Sequence, residues 1–249
     1  MWPSILLYAS LATSATGLLS LAKPLRFLRI RTRRAGAAVT IAGAVGVAAA
    51  LMIPTSEKRA GATRTRLDEF MPVWQFDETH TIEINASPQR VFEAIHGVTA
   101  RDIKLFRTLT AIRRMGRSAP EGILNAPKEK SILDVATSTT FIYLADDAPR
   151  EVVVGTVIIP PPGMHHRSEV TPELFKKVLP PGAALATMNF FVMPEGSGRS
   201  IVTTETRVFA NDDSAKRRFT VYWRFIQPGS DIIRRMWLRA IKQRAEKVR

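Results

Sequence analysis

Cysteine is absent from the 249 residues, which excludes disulfides, thiolate nucleophiles and Cys-ligated zinc and leaves the redox compartment open. Acidic residues are scarce beside basic ones, 22 against 36, and the resulting net charge of +14 implies an anionic partner. That partner is either nucleic acid or an anionic membrane surface. Catalytic signatures are also missing: there is no serine elbow and no carboxylate pair, and Gly196-Ser197-Gly198 reads as a hairpin tip rather than a phosphate loop, because no helix start follows it. His165-His166 with Glu169 has too few ligands placed by spacing for a metal site, since adjacent strand histidines point oppositely. No metal or cofactor is expected, and the reading leans away from an enzyme.

Charge is missing altogether from residues 2–22, a run about long enough to cross a bilayer of roughly 30 Å. A second uncharged run, 36–54, is rich in alanine, glycine and valine. The two predict a transmembrane helical hairpin over residues 1–54, with spans at about 3–22 and 36–53. Gly36, Gly43, Gly46 and Ala50, facing Ser10, Ser14 and Gly17, would let the helices approach closely. A cleaved signal peptide fits less well, because Lys23, Arg26, Arg29, Arg31, Arg33 and Arg34 follow the first run instead of preceding it. Those six residues place the loop in the cytoplasm and both chain ends outside, at the periplasmic side of a bacterial cytoplasmic membrane. Lys58, Arg59, Arg64 and Arg66 on the far flank pull the other way. Residues 55–75, punctuated by Pro54, Gly61 and Pro72, read as a linker.

From residue 76 onward the pattern is that of an α+β domain. Phe76, His80, Ile82 and Ile84 alternate with polar residues, predicting a strand over Phe76 to Ile84. Ser87-Pro88 then opens a short helix through Val91, Phe92 and Ile95. A second helix is expected from Thr99, with Asp102 closing a capping box. Strands follow at Ser131–Ala136, Thr139–Leu144 and Glu151–Ile159, and a short helix at Thr171–Leu179. The last third gives a hairpin, 184–193 and 200–210, that sets Met188, Phe190 and Val192 on one face with Val202, Thr204, Thr206 and Val208. Phe219, Tyr222, Trp223 and Ile226 at helical spacing are expected to cover that face. Gln227-Pro228-Gly229-Ser230 is expected to break the terminal helix, leaving a rear segment free to face a membrane.

The run Thr79-His-Thr-Ile-Glu-Ile-Asn-Ala-Ser-Pro-Gln-Arg-Val-Phe-Glu-Ala-Ile95 resembles the opening strand and helix start of the START-like, polyketide-cyclase and lipid-transfer superfamily, also called SRPBCC or helix-grip. The resemblance spans residues 76–249. It implies a curved antiparallel sheet wrapped on a long C-terminal helix, with a pocket for lipids or other small hydrophobic molecules. It does not imply one reaction, because carriers, cyclases and hydrolases share the fold.

Candidate ligand-binding residues are His80, Phe141, Tyr143, Met188, Phe190, Tyr222 and Trp223. His80 is either a core histidine held by hydrogen bonds or a group that orients a polar head or acts as a base. The aromatic and methionine set is either core or cavity wall. Glu205 and Arg207 read as an ion pair on the solvent side or, with the register slipped by one residue, as a pocket-lining pair. Arg234, Arg235, Arg239, Lys242 and Arg244, with Lys247 and Arg249, crowd the final helix and suggest contact with anionic headgroups. Nucleic acid is not expected, because no recognition motif accompanies the charge. The leading function is a membrane-anchored domain that binds or transfers a lipid. A pocket enzyme of the cyclase or hydrolase type, and an envelope interaction protein without a ligand, remain as alternatives.

Overall fold

The computed structural model describes residues 2–114, 120–161, 163–164 and 169–247. His165, His166, Val248 and Arg249 lie outside them. Two compact units emerge: Met1–Thr55 with Arg218–Pro228, and Ser56–Arg217 with Gly229–Arg249.

The first unit is built on α1 (Trp2–Ala22) and α2 (Arg33–Met52). Both are long and apolar enough to cross a membrane. Their faces meet through small residues, as the sequence suggests. A methyl group on Gly17 would strike the Thr40 backbone, one on Gly43 the Ser14 backbone, and one on Gly46 the Ser10 hydroxyl. Ser14 Oγ donates across the seam to the Thr40 carbonyl at 3.2 Å, so backbone proximity is what makes the polar bond available. Trp2, Ile5, Leu18, Leu19, Ile41, Val45 and Met52 face outward and are exposed. Thr32 caps α2, accepting from the Ala35 N–H at 3.1 Å.

Residues 218–228, expected to cover the hairpin, cluster with this unit, and the core against Met188, Phe190 and Val192 is instead supplied by residues 233–245. Tyr8 Oη donates to the Phe225 carbonyl at 2.7 Å, and the Arg224 guanidinium donates to the Ile53 carbonyl. The terminal helix also does not break. α7 runs from Asp213 to Glu246 with Pro228 inside it. A proline removes one intrahelical donor, and the flanking turns continue without it.

The second unit is α+β. β1 (Lys58–Arg59) pairs with β2 (Val73–Trp74) around the one-turn α3 (Arg66–Phe70). Residues 55–75, expected as a linker, thus carry two strands and a helix. Next come β3 (Phe76–Ile84), α4 (Pro88–Gly97), α5 (Phe106–Arg113), α6 (Ile132–Thr139), β4 (Ile142–Asp147), β5 (Glu151–Ile159), β6 (Ala184–Pro194) and β7 (Ser200–Ala210). The five long strands form one antiparallel sheet in the order β3-β7-β6-β5-β4. The hairpin register is the expected one, with Met188 opposite Thr206, Phe190 opposite Thr204 and Val192 opposite Val202.

Two further elements differ from expectation. Residues 131–136 are helical: β-branched Ile132 and Val135 suggest a strand, but Ile132, Leu133, Val135 and Ala136 all turn inward at helical spacing, and Ser131 accepts from the Asp134 N–H at 3.3 Å. Thr99 and Asp102 do bond, at 3.0 Å from the Thr99 N–H, yet they close a turn, and α5 starts only at Phe106. Leu105, with φ of 56°, separates the two.

Both faces of the sheet are covered. On the inner face, Val202, Phe190, Met188 and Val154 pack with α4, α6 and the rear of α7, through Val91, Ile95, Leu133, Trp237, Leu238 and Ile241. Phe190 and Trp237 meet edge-on with ring centroids 5.1 Å apart. The rear of α7, expected to face a membrane, is what seals the sheet. On the outer face, Val153 and Leu185 pack with Leu67, Phe70, Met71, Trp74 and Phe175.

Candidate functional site

The outer face holds the site. A cavity of about 780 Å³ opens there, floored by Leu185 and Phe209, walled by Phe70, Met71, Val73, Phe175 and Leu179, and edged by Glu69, Lys176, Lys177 and Asn211. Leu185 and Phe209 are register partners, so their side chains stand together. The volume and the apolar lining with a few polar groups are those of a small-molecule site. Lys176 Nζ lies 4.8 Å from the Phe70 ring centre, and Val178 is exposed at the mouth. Asn211 holds the far wall: its Oδ1 accepts from the Ala183 N–H at 2.9 Å, and its Nδ2 donates to the Leu179 carbonyl at 2.8 Å and to the Pro180 carbonyl.

The near wall is α3 and the chain after it, and three buried groups position it. Thr65 and Asp68 form a reciprocal capping box at its start. Arg207 of β7 then reaches Asp68 Oδ1 at 2.7 Å and the Met71 carbonyl at 3.0 Å, while its Nε donates to Glu205 Oε1 at 2.6 Å. The same guanidinium sits 3.8 Å from the Trp74 ring centre. Arg207 and Glu205 do pair, as the sequence suggests. The pair is not solvated, however, because α3 covers Arg207. Burial opposes ionisation of Asp68, but the Arg64 N–H, the Arg207 guanidinium and Thr65 outweigh it and hold the carboxyl below its ordinary range.

Glu151 is the third positioning group and is completely buried. It accepts from the Arg66 N–H at 2.7 Å, the Leu67 N–H at 3.3 Å and Asn189 Nδ2 at 2.7 Å, so it meets the unpaired donors at the start of α3. Burial pushes its pKa up despite these bonds. A carboxyl raised in the folded state contributes stability that is fully present below its unfolded pKa and lost as pH rises through the folded one. Glu151→Gln has no such term. The stability of Glu151→Gln relative to the native chain is therefore expected to increase as pH rises above the ordinary glutamate pKa of about 4.3, read as the difference in unfolding temperature; a difference independent of pH contradicts it.

None of the seven sequence-derived ligand residues lines this cavity. Met188 and Phe190 are buried in the inner core, with Phe141 and Tyr143 packed at its margin. Tyr222 and Trp223 belong to the helical unit, where Phe219 stacks on Trp223 at 5.8 Å. His80 is buried on the inner face, its Nε2 2.8 Å from Glu78 Oε1 and 3.5 Å from Asp231 Oδ1. Of the basic set on α7, Arg235, Arg239 and Arg244 are exposed. Lys242 donates to the Glu83 carbonyl at 2.7 Å. Arg234 is half-buried, with its guanidinium at Met188 Sδ and its pKa lowered to about 10 by desolvation.

The cavity residues that sequence reasoning passes over sit on 69–73 and 175–183. A signal exists for the first: Thr65-x-x-Asp68 is a capping-box pattern, and Phe70, Met71, Val73 and Trp74 are too apolar for a free linker.

A scan against protein-family models finds no match, and neither does a search of curated proteins. Among solved structures, the crystal structure of the Mll3558 protein from Rhizobium loti is similar at 16% identity over 63% of this chain and 96% of that one, with a TM-score of 0.23.

Proposed function

We propose that this chain is a membrane-anchored, non-enzymatic module that binds or transfers a lipid or similar amphipathic molecule. The observation that carries the reading is the outer-face cavity of about 780 Å³, apolar on its floor and walls and edged by Lys176 and Lys177. An acyl chain buried against Leu185, Phe209 and Phe175 leaves its head at the lysines, which favours an anionic head. The two apolar helices support anchoring beside the source of such a ligand. In this reading the sheet-bearing unit is a START-like, helix-grip domain, supported by its order of strand, helices, strands, hairpin and terminal helix. It departs from the expected plan in using the outer face for the ligand, because the inner face is filled by Phe190, Trp237 and their neighbours. The reading sets the domain on the periplasmic side of a bacterial cytoplasmic membrane, from the basic loop at residues 23–34.

Native mass spectrometry of the full chain in detergent tests the proposal. A bound lipid-like mass is expected, and Leu185→Trp, which fills the floor, should lose it. Lys176→Glu with Lys177→Glu, both exposed, should weaken anionic ligands by at least about ten-fold, given roughly 1 kcal/mol per basic residue. Retention of the same ligand by both variants would overturn the reading.

A further inference from the structure

The inner face carries a second, separate feature. Glu78 and His80 stand two residues apart on β3 and so point to the same side. Asp231, on the rear part of α7, meets them there. Among the described residues these three form a group whose ligating atoms all lie within 4.8 Å of one another. His80 Nε2 is 2.8 Å from Glu78 Oε1 and 3.5 Å from Asp231 Oδ1, and the side chains of Glu78, His80 and Asp231 are 3%, 6% and 13% exposed.

Hydrogen bonding leaves this cluster incomplete. Glu78 Oε2 is buried with no hydrogen-bond partner among the described residues, and so is the hydroxyl of Thr206, the register partner of Glu78. A buried carboxylate oxygen without a donor is costly. Arg235 takes Asp231 with bonds of 2.9 and 3.2 Å, but Arg235 is more than half exposed and free to turn out to solvent.

We propose that Glu78, His80 and Asp231 bind one divalent first-row transition-metal ion. A cation about 2.0–2.2 Å from each donor requires donors about 3.0–3.5 Å apart, and the observed 2.8 and 3.5 Å need only small side-chain movement to meet that spacing. One imidazole nitrogen with two carboxylate oxygens suits zinc, manganese or ferrous iron, and suits neither cuprous copper, which prefers sulfur, nor calcium, which needs more oxygens. The ion neutralises the buried Glu78 and the largely buried Asp231, and with both Glu78 oxygens on the ion Oε2 gains the partner it lacks. The ion also ties β3, an edge strand of the five-stranded sheet, to the last helix. Arg234, half-buried nearby with its guanidinium 5.5 Å from the Trp237 ring centre, and Arg235, paired with Asp231, are cations that work against the ion. The site lies across the sheet from the lipid cavity and does not depend on it.

The test uses the tag-free full chain in detergent, stripped with a chelator and then titrated with zinc or manganese alone. One equivalent per chain is expected, with a rise in unfolding temperature on loading. Glu78→Gln and His80→Gln keep the side-chain volume, and each should weaken uptake at least about 100-fold, more than the loss of an outer-shell partner costs. His165→Ala with His166→Ala should leave it unchanged. Cobalt loaded in place of zinc should give absorption bands of mixed nitrogen and oxygen ligation in the native chain, a readout independent of how the variants fold. Absence of stoichiometric uptake, uptake unchanged in Glu78→Gln, or uptake lost with His165 and His166 would each overturn the proposal.

Discussion

Replacing Arg207 with methionine is expected to lower the stability of the sheet-bearing unit by about 3–5 kcal/mol, the usual cost of removing one partner from a buried ion pair. The loss concentrates on Asp68, whose side chain is 7% exposed and which keeps its Thr65 and Arg64 donors but loses the guanidinium. Glu205, at 20%, has solvent in reach and loses less. The Met71 carbonyl and the Trp74 ring each lose a contact in the same step. Unfolding temperature should fall by about 10 °C, and because Met71 walls the cavity, ligand retention should fall with it. Asp68→Asn added to Arg207→Met should recover part of the loss, since it removes the unpaired charge. Simply additive losses would show that the two side chains act separately.

The second large effect is Trp237→Ala. Trp237 is 2% exposed and lies edge-on to Phe190, so truncation opens a cavity at the centre of the inner core and should cost about 3–5 kcal/mol. Its indole N–H has no hydrogen-bond partner among the described residues, so Trp237→Phe removes a buried orphan donor as well as volume and should cost less than about 1.5 kcal/mol. Trp223→Ala, on the part of α7 that groups with the N-terminal helices, should move the sheet unit by no more than about 1 kcal/mol. Equal losses for Trp237→Ala and Trp223→Ala in thermal unfolding would contradict the assignment of the rear segment as the seal.

How far the sequence reveals this arrangement depends on which force decides each element. Strand alternation is local, so Phe76–Ile84, Glu151–Ile159 and the hairpin with its register are legible from residue type alone. So is the close seam between α1 and α2, because glycine and serine at helical spacing admit few other partners. Ile132 and Val135 mislead because helix and strand patterns coincide over a run this short. The outer face is harder still. Thr187, Asn189, Glu205 and Arg207 are polar and read as solvated, and only the return of residues 57–74 across the sheet buries them. A long-range contact that converts a polar face into an interior has no periodicity to betray it. His80 is legible as an inward histidine. Glu78 shares its parity and is equally inward, but a carboxylate among apolar neighbours is easily assigned to the solvent side, and Asp231 joins the pair only through the continuity of α7 past Pro228. The parts of that unbroken helix also exchange their expected roles: residues 218–228 cluster with the N-terminal helices and the rear part covers the sheet.

The account's central claim, that a lipid-like ligand occupies the outer-face cavity, is tested most directly by photo-labelling. A fatty acid carrying a diazirine on its chain would be equilibrated with the 249-residue chain in detergent, irradiated, and its attachment sites mapped by peptide mass spectrometry. Adducts are expected on residues 70–73, 175–185 and 209, suppressed by excess unlabelled fatty acid and by Leu185→Trp. Adducts confined to the apolar helices 2–22 and 33–52, or placed on the inner face beside Met188 and Phe190, would contradict it.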